Sequence, residues 1–392
     1  MRIGLIAEYN PFHLGHAAQL AALKRAYPQA QLIIAMSGAF VQRGLPAVVD
    51  KWTRAAWAVR AGADLVVELP VLSVLRSAEG FAADGIHTLL ALGIDTLACG
   101  MENPADIDLL RLAPDDAAVR AYLASGASYG TARTRALADL SPRAAALTRR
   151  PNNLLAGYYL RTLLALAPAV TVIPLPRTTT RTAAALLGHP LPAADTPISA
   201  TAVRHALATG QIPAALLPAA VASDLSAAPR TDLTRYELLA LAALRHFTSA
   251  DAARYGTFSE GLEHRWYAAR HAAGLRAFWD TVATKRIPRA RLRRLTAQLL
   301  LRILATDLTA THHAPCEWLR PLAMTPAGAA LLRRATVPVI AKTADAPALL
   351  GPDTLRRFAY DLTATDLAAL CATDAHARTG GQDYTRHPVI VT

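Results

Sequence analysis

Two histidines three positions apart lie beside a glycine in the segment from Asn10 to His16. The apolar residues before them predict a strand, so a helix beginning at His13 would gather both imidazoles and free backbone N–H groups around one point. Gly15 permits close approach of the backbone. Such donors suit a triphosphate attacked at its α-phosphate, because they stabilise the charge that grows on the phosphates. Two other interpretations are surface helix histidines or a metal-binding pair, although no third ligand is evident nearby.

A second pattern spans Ile198 to Arg204. Ser199 and Thr201 can cap a helix and present hydroxyl and N–H groups to a phosphate. Arg204 would face the phosphates as a fixed cation. Alone this is a common capping pattern, but together with the histidine pair it indicates a nucleotide site in which His13, His16 and Arg204 are catalytic.

Charged residues close to the histidines permit several roles. Glu8 could orient a histidine, bind Mg²⁺ indirectly, or simply cap its loop. Arg43 could bind a carboxylate, a phosphate or RNA, or be a solvated loop charge. Asp50 predicts a helix N-cap and could pair with Arg54 at i+4.

Two adjacent asparagines, Asn152 and Asn153, begin another predicted helix. One could hydrogen-bond adenine while the other caps the helix, and the residue types do not say which. Both are therefore predicted ATP-site residues, together with Ser199 and Thr201.

Apolar segments alternate with helical ones around these residues. The sequence predicts strands over residues 2–7, 31–36, 64–69, 94–99 and 170–174, and helices over 13–26, 50–60, 77–90, 152–166 and 199–208. This alternation predicts an α/β fold, with a Rossmann-like, doubly wound parallel sheet covered by helices on both faces. Ligands of such sheets bind at the carboxyl ends of the strands. We expect this domain to occupy residues 1–210, with a helical insertion or lid over 104–150.

The rest of the chain is predicted to be mainly helical. An Ala- and Pro-rich linker is expected over residues 210–231, followed by helices over 236–246, 261–273 and 289–305, with one further strand over 337–341. We therefore expect a second, mainly helical domain over residues 211–392.

A basic segment in this second half is the predicted RNA-binding surface. Its members are Lys285, Arg286, Arg289, Arg293 and Arg294. Together with the formal net charge of +12, they would present cations to phosphates. The alternative is an ordinary solvated helix face. Trp266, Tyr267 and Trp279 nearby could stack on bases, although core packing is the simpler role.

Composition excludes several other classes. The 53% hydrophobic content excludes a disordered chain, and no apolar run is long enough to predict a membrane span. The first residues do not predict a secretory signal. The three cysteines are scattered, so we expect a reduced, cytoplasmic protein. No metal site and no protein partner are predicted.

Several segments resemble one bacterial family, the tRNA(Met) cytidine acetate ligases, a branch of the His-x-Gly-His nucleotidyltransferases. The matching segments span residues 4–16, 36–47, 50–55, 68–70, 77–82, 100–102, 151–155 and, in the basic region, 284–295. The resemblance implies a nucleotidyltransferase as the first domain and a two-step reaction. Acetate and ATP give acetyl-adenylate and pyrophosphate, and the acetyl group then passes to the exocyclic amine of the wobble cytidine of elongator tRNA(Met).

The resemblance also implies which residues contact ATP, with Mg²⁺ expected to accompany it. These residues are Gly100, Asn152, Arg177 and the stretch Ala7, Glu8, Tyr9, Asn10, Pro11, Phe12, His13, Leu14, Gly15, His16, Ala17, Ala18, Gln19 and Leu20.

One departure from the family follows the fifth predicted strand. Arg177 aligns with the family's arginine, but threonines replace the glycine-rich run that usually follows it. These threonines could bind phosphate or ribose. Two other functions remain open: an adenylyltransferase acting on a small metabolite, and a non-catalytic RNA-binding protein.

Overall fold

Short apolar runs form the central strands of the chain in a computed structural model that describes residues 1–190, 192 and 194–392. The strands are β1 (Arg2–Ala7), β2 (Gln31–Ser37), β3 (Phe40–Val41), β4 (Leu45–Pro46), β5 (Leu65–Leu69), β6 (Thr96–Met101), β7 (Thr171–Pro176), β8 (Pro321–Met324) and β9 (Val389–Ile390). β3 and β4 form a separate antiparallel hairpin.

The other strands form one sheet within the described residues, in the order β7-β6-β1-β2-β5-β8-β9. β1, β2, β5, β6 and β7 run parallel, whereas β8 is antiparallel to β5. From β1 the chain winds outward through β2 and β5, then returns past β1 to β6 and β7. The predicted doubly wound parallel sheet is confirmed, and its topological switch point lies at the carboxyl end of β1.

Helices cover both faces of the sheet and build the second half. They are α1 (Leu14–Ala26), α2 (Lys51–Arg60), α3 (Val71–Val74), α4 (Ala78–Leu90), α5 (Asp116–Ala124), α6 (Tyr129–Leu140), α7 (Pro142–Leu147), α8 (Pro151–Leu166), α9 (Thr180–Leu187), α10 (Ala200–Ala208), α11 (Ala219–Ala227), α12 (Leu233–His246), α13 (Ser249–Arg254), α14 (Leu262–Ala269), α15 (Leu275–Val282), α16 (Arg289–Leu300), α17 (Ala305–Ala310), α18 (Pro326–Leu331), α19 (Ala346–Leu349), α20 (Pro352–Leu370) and α21 (Gln382–Thr385). Short 3-10 helices span Pro104–Arg111, Ala214–Leu216, Leu332–Arg334, Thr343–Asp345 and His376–Arg378. No helix in the described part of the chain is long and apolar enough to cross a membrane.

Two predictions for the second half are wrong. The expected linker contains α11, because Val221 and Leu225 bury their side chains in the core beside the sheet. The expected strand over 337–341 makes only a single bridge, between Val339 and Leu319. The second half instead extends the sheet with β8 and β9, whose short sequences give little periodic signal.

The core of the second half is continuous with the first. Trp266 and Phe278 pack edge to face at its centre, with ring centroids 4.7 Å apart. The same core includes Phe40 of the β3–β4 hairpin, whose ring lies 6.2 Å from that of Tyr236. The domain boundary near residue 210 stays a prediction.

Candidate active site

The candidate site begins where β1 ends, at the switch point of the sheet. Tyr9 turns the chain with a left-handed φ of 46°, and the buried Asn10 side chain accepts a hydrogen bond from the Val48 N–H at 2.8 Å. α1 then starts at Leu14, with His13 as its N-cap. The first amides of a helix have no partner within it, so this turn offers donors toward the ligand edge of the sheet.

His13 and His16 stack face to face. Their ring centroids are 3.6 Å apart and their planes are nearly parallel. The Nδ1 of each ring accepts the backbone N–H of the other residue at 3.3 Å, which forms a reciprocal capping box. Because Nδ1 is used as an acceptor, a neutral ring carries its hydrogen on Nε2. The pair therefore offers two Nε2–H donors.

The surroundings keep both rings neutral. Burial, together with the nearby Arg177 guanidinium, lowers the pKa of His13 to about 3. Burial, His13 and Arg177 hold the pKa of His16 well below its ordinary value. At neutral pH the rings donate hydrogen bonds without carrying charge.

Two arginines supply positive charge beside the histidines. Arg177 donates to the Ile198 carbonyl at 3.2 Å. Arg204 donates to the Asn10 carbonyl at 2.6 Å and to the Thr201 hydroxyl at 3.1 Å. Neither forms an ion pair with a carboxylate of the described residues. These cations are therefore available to an anionic ligand.

Two residues in the predicted phosphate-binding segments, Ser199 and Thr179, cap helices. Ser199 caps α10, with its hydroxyl accepting the Ala202 N–H at 3.2 Å. The threonine-rich segment after β7 behaves in the same way, since Thr179 caps α9. The rest of the α1 stretch is largely structural, because its apolar side chains are buried in the core.

The acidic residues near the site, Glu8 and Asp50, accept hydrogen bonds from backbone N–H groups. Glu8 accepts the Gln42 N–H at 2.7 Å, and burial raises its pKa. Asp50 caps α2 as predicted, accepting the Thr53 N–H at 2.9 Å. The expected bond between Asp50 and Arg54 is absent among the described contacts.

Arg54 instead holds the strand ends together. Its buried guanidinium donates to the carbonyls of Glu8 at 2.7 Å and Ser37 at 3.0 Å, and also to that of Gly38. Arg54 thereby fixes the carboxyl ends of β1 and β2 relative to each other. Sequence reasoning missed this role, because a helical i+4 spacing suggested a local partner.

The two asparagines have separate roles. Asn153 is fully buried and its oxygen accepts the N–H groups of Glu102 and Asn103, at 2.9 and 3.2 Å. The Asn153 amide is thus used inside the protein, which favours a structural role, and its predicted ATP contact stays a prediction. Asn152 donates to Glu102 at 2.6 Å and is half-buried, so a nucleotide contact there stays a prediction.

Gly100 lies at the end of β6. A Cβ there would come within 2.9 Å of the Gln19 amide nitrogen. Side chains larger than hydrogen would therefore displace Gln19, and a nucleotide contact at Gly100 stays a prediction.

A buried network of charged side chains joins Asp383, near the C-terminus, to α2 and β5. Lys51 lies 2.8 Å from Glu68 and 2.9 Å from Asp383, and Arg320 lies 2.8 Å from the same Asp383 oxygen. Burial, together with the nearby Glu68 charge, raises the pKa of the neighbouring Asp361 to about 8. No local sequence signal could have paired residues so distant in the chain.

The side chains of the basic segment, residues 285–294, do not all lie on one exposed surface. Lys285, Arg286 and Arg289 are exposed. Arg293 instead lies over the Trp279 ring, with its guanidinium carbon 5.1 Å from the ring centroid. Arg294 turns inward, and burial lowers its pKa to about 10.

The aromatic residues near the basic segment belong mainly to the core. Trp266 is fully buried and Trp279 is buried, as core packing requires. Tyr267 is exposed and lies beneath Arg270, whose guanidinium carbon is 3.6 Å from the ring centroid.

Comparison with known proteins gives consistent matches over the chain. The family model described as HIGH Nucleotidyl Transferase matches residues 1–383. A protein of Lactiplantibacillus plantarum named tRNA(Met) cytidine acetate ligase is 35% identical over 338 residues, covering 85% of each chain. A protein of the same name from Alkaliphilus metalliredigens is 31% identical over 425 residues, covering 99% of this chain and 98% of the relative. The crystal structure of Thermotoga maritima TmcAL bound with alpha-thio ATP aligns with a TM-score of 0.88 and 24% identity over 99% of both chains.

Proposed function

The chain belongs to the HIGH nucleotidyltransferase family and, within it, to the tRNA(Met) cytidine acetate ligases, and we propose that it activates acetate with ATP at the histidine pair. The observation that carries this proposal is the stacked pair itself at the first turn of α1, whose Nε2–H groups have no hydrogen-bond partner among the described residues. The Thermotoga maritima protein, which shares this fold, was crystallised with alpha-thio ATP, and this supports a nucleotide as the ligand.

In the first step an acetate oxygen attacks the α-phosphorus of ATP. A new bond forms between this oxygen and phosphorus while the bond to the β-phosphate oxygen breaks, and pyrophosphate leaves with the electron pair. His13 and His16 donate hydrogen bonds to the phosphates, where charge grows. Arg177 and Arg204 neutralise that charge without a change in protonation.

In the second step the exocyclic amine of the wobble cytidine of elongator tRNA(Met) attacks the carbonyl carbon of acetyl-adenylate. A C–N bond forms and the bond to the phosphate oxygen breaks. AMP leaves, the amine loses a proton, and N4-acetylcytidine remains. The chain's contribution is positioning, because the mixed anhydride is already activated.

Mg²⁺ would arrive bound to ATP rather than to a site in the protein. The described residues contain no group of three or more histidine, cysteine or acidic side chains that could hold a metal ion. Glu8 is the nearby carboxylate, and it is already bonded to the Gln42 N–H. No step is therefore assigned to a protein-bound metal.

The exposed cations Lys285, Arg286 and Arg289 would bind the phosphate backbone of the tRNA. Arg286 is held only loosely, 3.7 Å from Glu260, whereas Arg289 forms a close ion pair with Asp280 that a tRNA phosphate would have to share or replace. A tRNA substrate supports the expectation of a cytoplasmic protein.

Incubation with labelled acetate, ATP and an elongator tRNA(Met) transcript tests the function. We expect label in N4-acetylcytidine at the wobble position, and none when that cytidine is replaced by uridine. ATP turnover on a small metabolite without tRNA labelling would instead identify a metabolite adenylyltransferase. RNA binding without any turnover would identify a non-catalytic protein.

A further inference from the structure

A cationic cleft of about 550 Å³ lies between the start of α4 and the inner face of α16. Residues on its walls include Ser77, Gly80, Arg291, Arg294, Gln298 and Thr309. None of the residues predicted to bind ATP lines it. The volume falls within the range of small-ligand sites, so it is a second space large enough for a nucleotide.

One wall of the cleft carries two arginine side chains that are not paired with a carboxylate of the described residues. Arg294 has no hydrogen-bond or ion-pair partner among the described residues, although it is largely buried. Arg291 donates to the Ser259 hydroxyl at 2.8 Å and to the Thr257 carbonyl at 3.3 Å, neither of which carries charge. Two guanidinium groups so placed favour an anion between them.

The opposite wall is the N-terminus of α4, a helix of 13 residues. Ser77 caps this helix by accepting the Gly80 N–H at 3.2 Å. The carboxylate of Glu79 in the first turn is bound by Arg133 at 3.2 Å. The other amides of the turn keep the donor character that favours phosphate.

The floor of the cleft has an unsatisfied acceptor. Gln298 is 5% exposed, and its amide nitrogen donates to the Leu75 carbonyl at 2.9 Å. Its amide oxygen has no hydrogen-bond partner in the described structure. Buried polar atoms are rarely left unpaired. This oxygen is shielded from solvent, so it becomes an acceptor for an N–H donor of a ligand when the Gln298 side chain turns into the cleft.

The β3–β4 hairpin joins the cleft to the histidine site. Gln42 donates its backbone N–H to Glu8 at 2.7 Å and its side-chain amide to the Arg76 carbonyl at 3.2 Å, and Arg76 lines the cleft. Gly44, with a φ of 75°, lies so close to the backbone of Arg293 and Arg294 that an added Cβ would clash at 2.6 to 2.7 Å. The cleft is thus a neighbour of the catalytic turn but separate from it.

We propose that this cleft binds one unpaired nucleotide of the RNA substrate, next to the cytidine that is acetylated. Its phosphate would lie between Arg291, Arg294 and the start of α4, and an N–H of its base would donate to the Gln298 oxygen once that side chain turns into the cleft. Lys285, Arg286 and Arg289 lie beside the first turn of α16 and continue the positive charge, which fits a phosphodiester chain better than a free nucleotide. This inference rests on the proposed function, which supplies the RNA.

Blocking the cleft tests the inference. Thr309 is exposed on its rim, so Thr309→Trp would fill the cleft without disturbing the core, and Thr306→Trp on the same helix is the matched control outside it. The probe is a fluorescent stem-loop RNA carrying the tRNA(Met) anticodon loop, and fluorescence anisotropy gives its Kd. We expect roughly tenfold weaker binding for Thr309→Trp than for Thr306→Trp, and equal binding of a blunt duplex RNA by both. Equal stem-loop affinities in the two variants would overturn the inference.

A second variant addresses the phosphate contact. Because Arg294 has no hydrogen-bond or ion-pair partner in the described part of the chain, Arg294→Met removes a ligand contact and no ion pair seen there. We expect weaker stem-loop binding and a salt dependence reduced by about one phosphate contact, relative to Arg333→Met at an exposed site. An unchanged salt dependence would contradict the assignment. Since binding is measured without ATP or acetate, cleft-dependent binding without acetylation would refute the proposed function alone.

Discussion

The histidine turn and the basic helix α16 are both rich in groups that bind phosphate, yet they are built in opposite ways. In the turn, His13 and His16 bond to each other's backbone, so four consecutive residues fix how the two rings pair. In α16, neighbouring arginines diverge, with Arg289 exposed and Arg294 turned inward against another part of the chain. A catalytic turn can therefore be local, whereas an RNA surface depends on how distant elements pack.

The largest expected effect concerns Arg54, which supports the turn from outside it. Arg54→Met leaves several buried carbonyls without a donor, so we expect a loss of about 3–5 kcal/mol in the free energy of unfolding. Urea unfolding measures this loss, with Arg60→Met at the exposed end of the same helix as control. A loss equal to that of the control would show that the turn needs no such support.

Arg204 tests the charge beside the histidines. Arg204→Met removes a fixed cation from the phosphates while the nearby helix cap at Ser199 remains. We expect kcat/KM for ATP to fall about 100-fold, as measured by acetate-dependent turnover. The exposed neighbour His205→Ala is the control, and a similar rate in both variants would remove Arg204 from the site.

The low pKa values of the histidines predict a dependence of stability on pH. Below the ordinary histidine pKa of about 6.5 the unfolded chain binds protons that folded His13 and His16 do not, so the folded state loses stability as the pH falls. Between pH 7.5 and pH 5.5 this contribution amounts to about 3 kcal/mol for the two histidines together. Urea unfolding of the wild type and of a His13→Asn, His16→Asn double variant isolates it. Identical pH dependence in the two proteins would mean that the rings titrate normally.

The smallest effects are expected at the exposed cations. Substitution of Lys285, Arg286 or Arg289 by alanine should each weaken tRNA binding about two- to threefold, because each removes one screened phosphate contact. The slope of log Kd against log salt concentration should fall by about one per variant. Unchanged slopes would show that the exposed end of α16 does not contact the RNA.

The sequence predicted those features whose determinants are close together in the chain. The five parallel strands, the start of α1 at the histidines and the caps at Asp50 and Ser199 follow from local periodicity and capping chemistry. The division of roles between Asn152 and Asn153 was not predictable, since it depends on Glu102 and Asn103 about 50 residues earlier.

Features that depend on distant partners escaped prediction. β8 is a four-residue strand beginning with proline, and it joins the sheet only because β5 offers an edge more than 250 residues earlier. The charge network of Lys51 and Asp383 and the inward turn of Arg294 have the same origin. In each case the sequence gives the residue type but does not say which distant residue it contacts.

Exchange of labelled pyrophosphate into ATP tests the central claim most directly. The assay compares wild type with His16→Ala, with and without acetate, and is run both without and with tRNA(Met). We predict exchange that requires acetate and that falls by about 100-fold or more in the variant, because one of two Nε2–H donors to the phosphates is lost. Exchange that does not need acetate, or that is equally fast in His16→Ala, would contradict acetate activation at the histidine pair.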